Sequence, residues 1–186
     1  MAISAKTPEP EGPPVVLVTP RLLLRKPVQA DARAIFEAYA GDPQVTRYLT
    51  WKAHGQVDET RAWLLKVLTG WDEMTTLVWV ITLRLTSEVI GAVELRLEAQ
   101  ANLGFVLGRR NWNRGYMSEA ARAVVEWALS REEVQRVWAL CAVENAASAR
   151  VLEKAGLERE ALLRSWMVFP NLSPVPQDCY RFSRQA

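Results

Sequence analysis

The spacing of hydrophobic residues predicts a series of strands and helices along the chain. Segment 22–25 alternates with a period of two, which is typical of a short strand. A helix is predicted over 32–40, between a capping Asp31 and Gly41, a residue type that commonly ends helices. A second helix is predicted over 57–69, where the spacing indicates a buried stripe formed by Leu64, Leu65 and Leu68.

The rest of the chain continues this pattern without an internal repeat or a linker. Segments 77–84 and 89–97 are rich in β-branched residues and predict an antiparallel hairpin. Segment 102–107 predicts a third strand, and helical spacing predicts a helix from Met117 to Leu129. A strand, a helix and two strands are predicted after it, at 134–143, 145–154, 161–169 and 178–183. Residues 15–186 are therefore expected to form one α/β domain.

Composition and charge exclude several classes of protein. The 186 residues carry a net charge of +2, which is too small for bulk electrostatic binding of nucleic acid. No apolar run approaches the roughly 20 residues that cross a bilayer, and the N-terminus lacks the apolar segment of a secretory signal. Residues 1–14 contain four prolines and are predicted to form a flexible tail. Cys141 and Cys179 lack metal-ligand spacing, which favours a reducing, cytoplasmic setting.

The segment RRNWNRGY (109–116) lies between the third strand of the sheet and the helix that follows it. A loop that leads into a helix directs free backbone N–H groups and the positive end of the helix dipole at one place, which favours phosphate binding. Gly115 has no side chain to block a close approach, and Asn113 tolerates a left-handed backbone. Positive charge is supplied nearby by Arg109, Arg110 and Arg114. From these residues alone, an ordinary basic turn is an equally good interpretation.

Three stretches of the chain resemble the GNAT superfamily of N-acetyltransferases. Segment 110–115 resembles the family's Gln/Arg-x-x-Gly-x-Gly/Ala coenzyme A loop. WNRGYMSEA (112–120) resembles the W-G-x-G-Y-A-T-E-A run of the RimJ/RimL branch, which acetylates protein N-termini. TPRLLLRKPVQADA (19–32) and ENAASARVLEKAGLERE (144–160) resemble that branch's T-x-R-L-x-L-R and N-x-A-S-x-R-V-L-E-K-x-G-F segments. The stretches occur in the family's order, and the likeness covers about residues 17–184.

The resemblance implies a single GNAT domain that binds acetyl-CoA as its co-substrate. Its mixed, mostly antiparallel central sheet would be flanked by about four helices, and its splayed central strands would hold the cofactor. The cofactor-binding residues that the resemblance implies are Phe105, Val106, Leu107, Arg110, Asn113, Arg114, Gly115, Tyr116, Met117, Ser118 and Asn145. Asn113 departs from the family pattern, because it stands where the family has the first glycine of the loop.

The resemblance also implies a proton donor for the leaving thiolate. Ser148 lies where the RimJ/RimL branch is proposed to place that group. Many other GNAT enzymes use a tyrosine three or four residues further on, where this chain has Val151 and Leu152. From the residues alone, Ser148 is more simply a packing residue whose hydroxyl donates back to the preceding turn.

The general base is left open by the sequence. The carboxylate that the RimJ/RimL branch is proposed to use has no counterpart, because residues 166–169 are apolar. Glu94 is the best remaining carboxylate, since GNAT enzymes often place a glutamate on that strand. A base that acts through water is an alternative. Equally, Glu94 belongs to a solvated strand face beside Arg96.

The acceptor pocket is expected after the first helix. YLTWKAH (48–54) resembles the RimJ/RimL segment that lines the acceptor pocket, which makes Trp51 and His54 the candidate substrate-binding residues. A surface loop with a half-buried Trp51 is the alternative. His54 is the only histidine, so neither a His-based triad nor a His-rich metal site is available, and no metal is expected.

Together these observations predict transfer of an acetyl group from acetyl-CoA to a primary amine by direct attack. The resemblance favours a protein or peptide N-terminal amine. A small amine such as an aminoglycoside, polyamine or amino acid is the alternative acceptor. A different class is a non-catalytic acyl-CoA-binding sensor that has lost its base. Eight tryptophans leave room for an aromatic interface in a homodimer.

Overall fold

The computed structural model describes residues 12–98 and 100–186, so most of the tail predicted at 1–14 lies outside the described residues. The described residues form eight strands in one sheet, with four α-helices packed on it. The elements in chain order are β1 (Val16–Val18), β2 (Leu22–Arg25), α1 (Ala32–Ile35), α2 (Val57–Asp72), β3 (Thr76–Leu83), β4 (Val89–Arg96), β5 (Ala101–Leu107), α3 (Tyr116–Leu129), β6 (Arg136–Ala142), α4 (Ala146–Lys154), β7 (Glu158–Phe169) and β8 (Ser173–Gln185).

The strands lie in the order β1-β2-β3-β4-β5-β6-β8-β7, and only the β5–β6 pair is parallel among the described pairs. This confirms the predicted α/β domain with a mixed, mostly antiparallel sheet and four helices. The π-helical turn Phe36–Ala40 extends α1 to the end predicted for the first helix. No helix within 12–98 or 100–186 is both long and apolar enough to cross a membrane.

The parallel pair holds together at one end only. Ala101 pairs with Val137 and Asn102 with Trp138, and no further pairs join β5 to β6 in the described residues. Beyond these pairs β5 follows β4 up to Leu107, whereas β6 follows β8 along its whole length. The two strands therefore splay apart, as the resemblance implied.

Two details of the fold differ from the sequence predictions. Strand β1 was not predicted, because the run Val15–Val18 does not alternate with polar residues; it forms by pairing with β2. In α2, Leu65 is 60% exposed rather than buried. Of the predicted stripe only Leu64 is fully buried and Leu68 is half-buried; the helix also buries Val67 and Trp71, the latter seven residues from Leu64 on the same face.

Large aromatic residues fill the core beside α2. Trp71 and Trp127 both pack edge-on against the fully buried Trp79, at ring-centroid distances of 5.3 and 5.5 Å. The indole N–H groups of Trp71 and Trp79 donate to the carbonyls of Val78 and Pro14, each at 2.9 Å. Burying the rings while satisfying their N–H groups stabilises this side of the sheet.

Candidate active site

The splay between β5 and β6 opens into a cleft of about 700 Å³. Its walls come from four parts of the chain: the loop after α1, the end of β5, the loop and first turn at the start of α3, and α4 with the two residues before it. The lining residues lie within 44–49, 105–107, 112–118 and 144–154. A cleft at the carboxyl end of diverging strands, with two helix N-termini beside it, is suited to a ligand that carries phosphate groups.

The start of α3 has the backbone geometry that was expected of a phosphate-binding loop. Asn113 and Gly115 both have a positive φ, of 59° and 75°. Gly115 is the N-cap of α3 and offers no side-chain cap, so the first N–H groups of the helix have no side-chain partner at this cap. Both residues line the cleft. The N–H groups and the helix dipole together favour an anion here.

A network around Glu119 holds this loop in place. The Arg21 backbone N–H and side-chain Nε donate to the two Glu119 oxygens at 2.9 and 2.7 Å, and Thr19 Oγ1 donates at 2.6 Å. Arg21 Nη1 also donates to the carbonyl of Arg114 at 2.9 Å. Burial alone would raise the pKa of Glu119, but the hydrogen bonds from Thr19 and Arg21 and the charge of Arg21 lower it below its ordinary value. Glu119 therefore stays ionised and anchors Arg21 against the loop.

Thr19, Arg21 and Glu119 lie within the family-like segments 19–32 and 112–120, but their contact was not predicted. The signal that could have found them is the pairing of a threonine and an arginine in 19–21 with an acid one turn into α3.

Ser148 lies on the cleft wall, in the first turn of α4. Asn145 caps this helix, and its Oδ1 accepts the Ser148 backbone N–H at 3.1 Å. No residue within the described ranges forms a hydrogen bond with Ser148 Oγ, whereas Ser130 Oγ, at the end of α3, donates to the carbonyl of Trp127 at 2.6 Å. The bond to the preceding turn, which would make Ser148 a simple packing residue, is therefore not formed.

Most of the residues implied to bind the cofactor converge on this one cleft. Those on its wall are Phe105, Val106, Leu107, Asn113, Gly115, Met117, Ser118 and Asn145. Arg110, Arg114 and Tyr116 belong to the same loop but do not line the cleft. The Tyr116 ring lies 4.6 Å beneath the Arg21 guanidinium, so this ring helps to position the loop.

Glu94 is not among the residues that line the cleft. Its carboxylate pairs with Arg96 Nε at 2.6 Å, and both residues line a separate depression beside α2. Glu94 lies opposite Gly104 in the β4–β5 ladder, which places it on the sheet face that Val106 also occupies. The glutamate is thus near the cleft along the sheet, but its charge is directed towards Arg96.

Trp51 and His54 also lie away from the cleft wall. Their rings contact each other at a centroid distance of 5.2 Å, and His54 Nδ1 is 2.8 Å from Thr60 Oγ1. Trp51 packs against the core. Burial lowers the pKa of His54, with the nearby charge of Glu59 acting in the opposite direction. These two residues form the base of a loop rather than its cleft-facing side.

The loop does contribute to the cleft, but through other residues. The His54 N–H donates to the Ala40 carbonyl at 2.9 Å, which closes residues 41–54 into a compact loop, called the 41–54 loop below. Its inner part presents Arg47, Tyr48 and Leu49 to the cleft. The segment that the resemblance singled out thus contributes to the cleft wall, but its aromatic residue there is Tyr48 rather than Trp51.

Charge on the cleft wall is mostly positive. Arg47, Arg150 and Lys154 all line it, and Glu144 is the only acidic residue among the described lining residues. Arg109 closes one side by contacting Asp42 Oδ2 at 3.3 Å and Gln44 Oε1 at 2.7 Å. The cleft therefore favours a negatively charged ligand.

Comparisons with known proteins agree with this arrangement. The profile of the family described as "Acetyltransferase (GNAT) domain" matches residues 21–158, a span that contains every wall of the cleft. The protein named "Uncharacterized N-acetyltransferase YoaA" from Bacillus subtilis (strain 168) is 30% identical over 169 residues, which cover 89% of this chain and 94% of YoaA. The chain belongs to the GNAT acetyltransferase family and is an acetyl-CoA-dependent acetyltransferase.

Solved structures show the same fold. A GNAT-family acetyltransferase from Bacillus anthracis has a TM-score of 0.80 at 25% identity, over 91% of this chain and 98% of that one. The acetyltransferase from Salmonella typhimurium that modifies the N-terminal serine of ribosomal protein L7/L12 has a TM-score of 0.79 at 18% identity, over 90% and 96%. The second likeness is one of fold alone.

Proposed function

We propose that this enzyme transfers the acetyl group of acetyl-CoA to the N-terminal amine of a protein or peptide. The observation that carries the choice of acceptor is the wall formed by the 41–54 loop, which presents Arg47 and, among the described residues, no acidic side chain to the cleft. A polyamine or an aminoglycoside carries several positive charges and would be repelled there. A peptide N-terminus offers one amine, and the rest of its chain can carry acidic groups. The Salmonella enzyme, which shares the fold, acts on such a substrate.

The reaction requires three events at the cleft. The neutral amine nitrogen attacks the thioester carbonyl carbon, the C–S bond breaks, and the departing thiolate takes up a proton. Ser148 Oγ is our proposed donor of that proton, because it lines the cleft and its hydroxyl has no partner among the described residues. A backbone N–H near Leu107 would stabilise the oxyanion. The amine loses its own proton to a base through water or directly to solvent.

The N-terminal loop of α3 would hold the pyrophosphate of acetyl-CoA, and Asn145 would contact the pantetheine arm. Asn145 uses Oδ1 to cap α4, so its amide N–H₂ group is the part available to a ligand. The cleft volume of about 700 Å³ lies within the range of pockets that bind molecules of cofactor size.

A panel of amines tests this proposal. Purified enzyme is given acetyl-CoA with peptides that start with Ser or Ala, with free amino acids, with spermidine and with an aminoglycoside, and thiol release is followed. Mass spectrometry of the peptide products distinguishes an acetylated N-terminus from an acetylated lysine. We expect release with the peptides and modification at the N-terminus. Activity confined to the small amines would replace the peptide acceptor, and binding of acetyl-CoA without release on any amine would indicate a sensor.

A further inference from the structure

One side chain binds the 41–54 loop to a distant part of the chain through three hydrogen bonds. Asn171 lies in the turn between β7 and β8, and its Nδ2 donates to the carbonyls of Thr46 and Trp51 at 2.8 and 2.7 Å. Its Oδ1 accepts the Ala53 N–H at 3.2 Å. All the hydrogens of the amide and one lone pair of its oxygen are thus used by one loop.

These three bonds replace a regular backbone ladder. The 41–54 loop makes its own turns, in which the Thr46 N–H donates to Asp42 and the Leu49 N–H donates to Thr46. The Thr46 carbonyl also accepts the Leu49 N–H, but the Trp51 carbonyl has no other partner among the described residues, and an unpaired carbonyl costs free energy when it is partly buried. Asn171 satisfies both at once and fixes the spacing between the two sides of the loop.

An aromatic contact strengthens the same attachment. The Tyr48 ring packs edge-on against Phe169, which ends β7, at a centroid distance of 6.4 Å. Phe169 is buried with Ala142 and Cys179 in a small cluster that Tyr48 joins. The Phe169 carbonyl accepts the Leu172 N–H at 2.9 Å, which holds the turn that carries Asn171. The cleft-facing residues of the loop therefore rest on the β7–β8 hairpin.

The start of α3 is held by Arg21 and Glu119, at residues that Asn171 does not touch. The two sides of the cleft meet at Arg109, which contacts Asp42 and Gln44 at the start of the 41–54 loop, whereas Asn171 binds the part of the loop from 46 to 53. A change at Asn171 should move one wall and leave the other in place.

We propose that Asn171 is a positioning residue for the acceptor: it sets the place of the cleft wall formed by Arg47 and Tyr48 without lining the cleft itself. The inference rests on the proposed function in one respect, that this wall receives the amine substrate. Its consequence is that affinity for the acceptor depends on the β7–β8 turn, whereas affinity for acetyl-CoA does not.

The test compares Asn171→Ala, Asn171→Asp and a control, Ser173→Ala. Ser173 begins β8 directly after this turn, and its Oγ accepts only the local Val175 N–H, at 3.1 Å, among the described residues. Calorimetry gives the Kd for acetyl-CoA and steady-state kinetics gives the KM of the best peptide. We expect both Asn171 variants to raise the acceptor KM by about tenfold, the effect of losing one to two hydrogen bonds, with the acetyl-CoA Kd within about twofold of wild type. Ser173→Ala should match the wild type in both.

The aspartate variant distinguishes the loss of hydrogen bonds from a loss of side-chain packing. It keeps the shape of the side chain and the acceptor for the Ala53 N–H, but it turns an oxygen towards two carbonyls where the amide had donated. A wild-type acceptor KM for Asn171→Asp, or for Asn171→Ala, would overturn the proposal. A parallel rise in the acetyl-CoA Kd would overturn it as well, because it would indicate a general structural defect.

Hydrogen exchange separates this inference from the proposed function. Without any substrate, amides of the 41–54 loop should exchange faster in both Asn171 variants, and amides of α3 should not change. If the wild type acetylates no amine while the loop exchanges faster, the proposed function fails and the attachment stands. If exchange in the loop is unchanged, the positioning role fails whatever the enzyme acetylates.

Discussion

Arg21 and Glu119 are joined by two hydrogen bonds, at 2.7 and 2.9 Å, although 98 residues separate them in the sequence. The pair lies behind the α3 loop rather than in the cleft. Arg21 also donates to the Arg114 carbonyl, so the ion pair is bonded to the loop itself. A carboxylate in the first turn of a helix is also stabilised by the helix dipole. The same helix end thus favours Glu119 on one side and an anionic ligand on the other.

Removing the charge at Glu119 should therefore weaken cofactor binding without touching the ligand. Glu119→Gln loses one charge-assisted hydrogen bond to Arg21 and frees the loop, so we expect acetyl-CoA to bind about tenfold more weakly by calorimetry. Glu37→Gln is a matched control, because Glu37 pairs with Arg33 on an exposed helix face. Unchanged affinity in Glu119→Gln would show that the loop does not need this support.

The lowered pKa of Glu119 also predicts a pH dependence of stability. A carboxylate with a lowered folded pKa binds fewer protons when folded than when unfolded, so its stabilisation is present above its ordinary value of 4.5 and is lost as the pH falls through the folded value. The difference in unfolding free energy between wild type and Glu119→Gln should be largest near neutral pH and should shrink below pH 4.5. Urea unfolding at several pH values measures it. A difference that does not change with pH would contradict the assignment.

At Gly115, substitution should remove cofactor binding while the domain stays folded. Gly115→Val places a β-branched side chain at a φ of 75°, which L-residues rarely adopt, and obstructs the approach of phosphate to the backbone. Gly55→Val is the control, because a Cβ there meets only the Glu59 carboxylate at 3.4 Å. We expect no measurable acetyl-CoA binding for Gly115→Val and wild-type binding for the control. Wild-type affinity in a folded Gly115→Val variant would show that the loop is not the phosphate site.

The sequence predicted the elements whose hydrophobic period is long and regular. The hairpin of β3 and β4 and the helix α3 are such elements, because burial of one face imposes a period on the residues themselves. Resemblance to a family added the splay of β5 and β6, which no local pattern of residues specifies. In the helix α2, the local pattern failed at Leu65, because the buried face runs through Leu64, Val67 and Trp71 and Leu65 lies about 100° around the helix from Leu64.

Contacts between polar residues of distant loops could not be predicted in this way. Asn171 binds backbone groups 118 to 125 residues away, and such contacts leave no period in the sequence. The sequence also did not predict that Tyr48, rather than Trp51, lines the cleft. The hydrogen bond between the His54 N–H and the Ala40 carbonyl closes the loop, and this closure decides which aromatic residue faces inwards. The direction of Glu94 depends on its partner Arg96, which the sequence named only as a neighbour.

Loss of the Ser148 hydroxyl should affect turnover far more than binding. A proton donor acts in the transition state, so Ser148→Ala should lower kcat by roughly 10- to 1,000-fold while the Kd for acetyl-CoA stays within about twofold. Ser130→Ala serves as the control, since its hydroxyl only donates to the Trp127 carbonyl at the far end of α3. Wild-type turnover in Ser148→Ala would assign Ser148 to packing, and an equal loss in both variants would point to a shared structural effect.

Glu94 offers the sharpest test of how the amine loses its proton. Its carboxylate is held by Arg96 at 2.6 Å and lies outside the cleft wall, so reaching a substrate amine would require breaking that pair. We therefore expect the pH–rate profile of Glu94→Gln to overlay the wild type, with the acidic limb set by the amine itself or by a base acting through water. Arg96→Gln is the complementary variant, because it frees the Glu94 carboxylate without removing it. A flattened acidic limb in Glu94→Gln, with an intact limb in Arg96→Gln, would establish Glu94 as the general base despite its position.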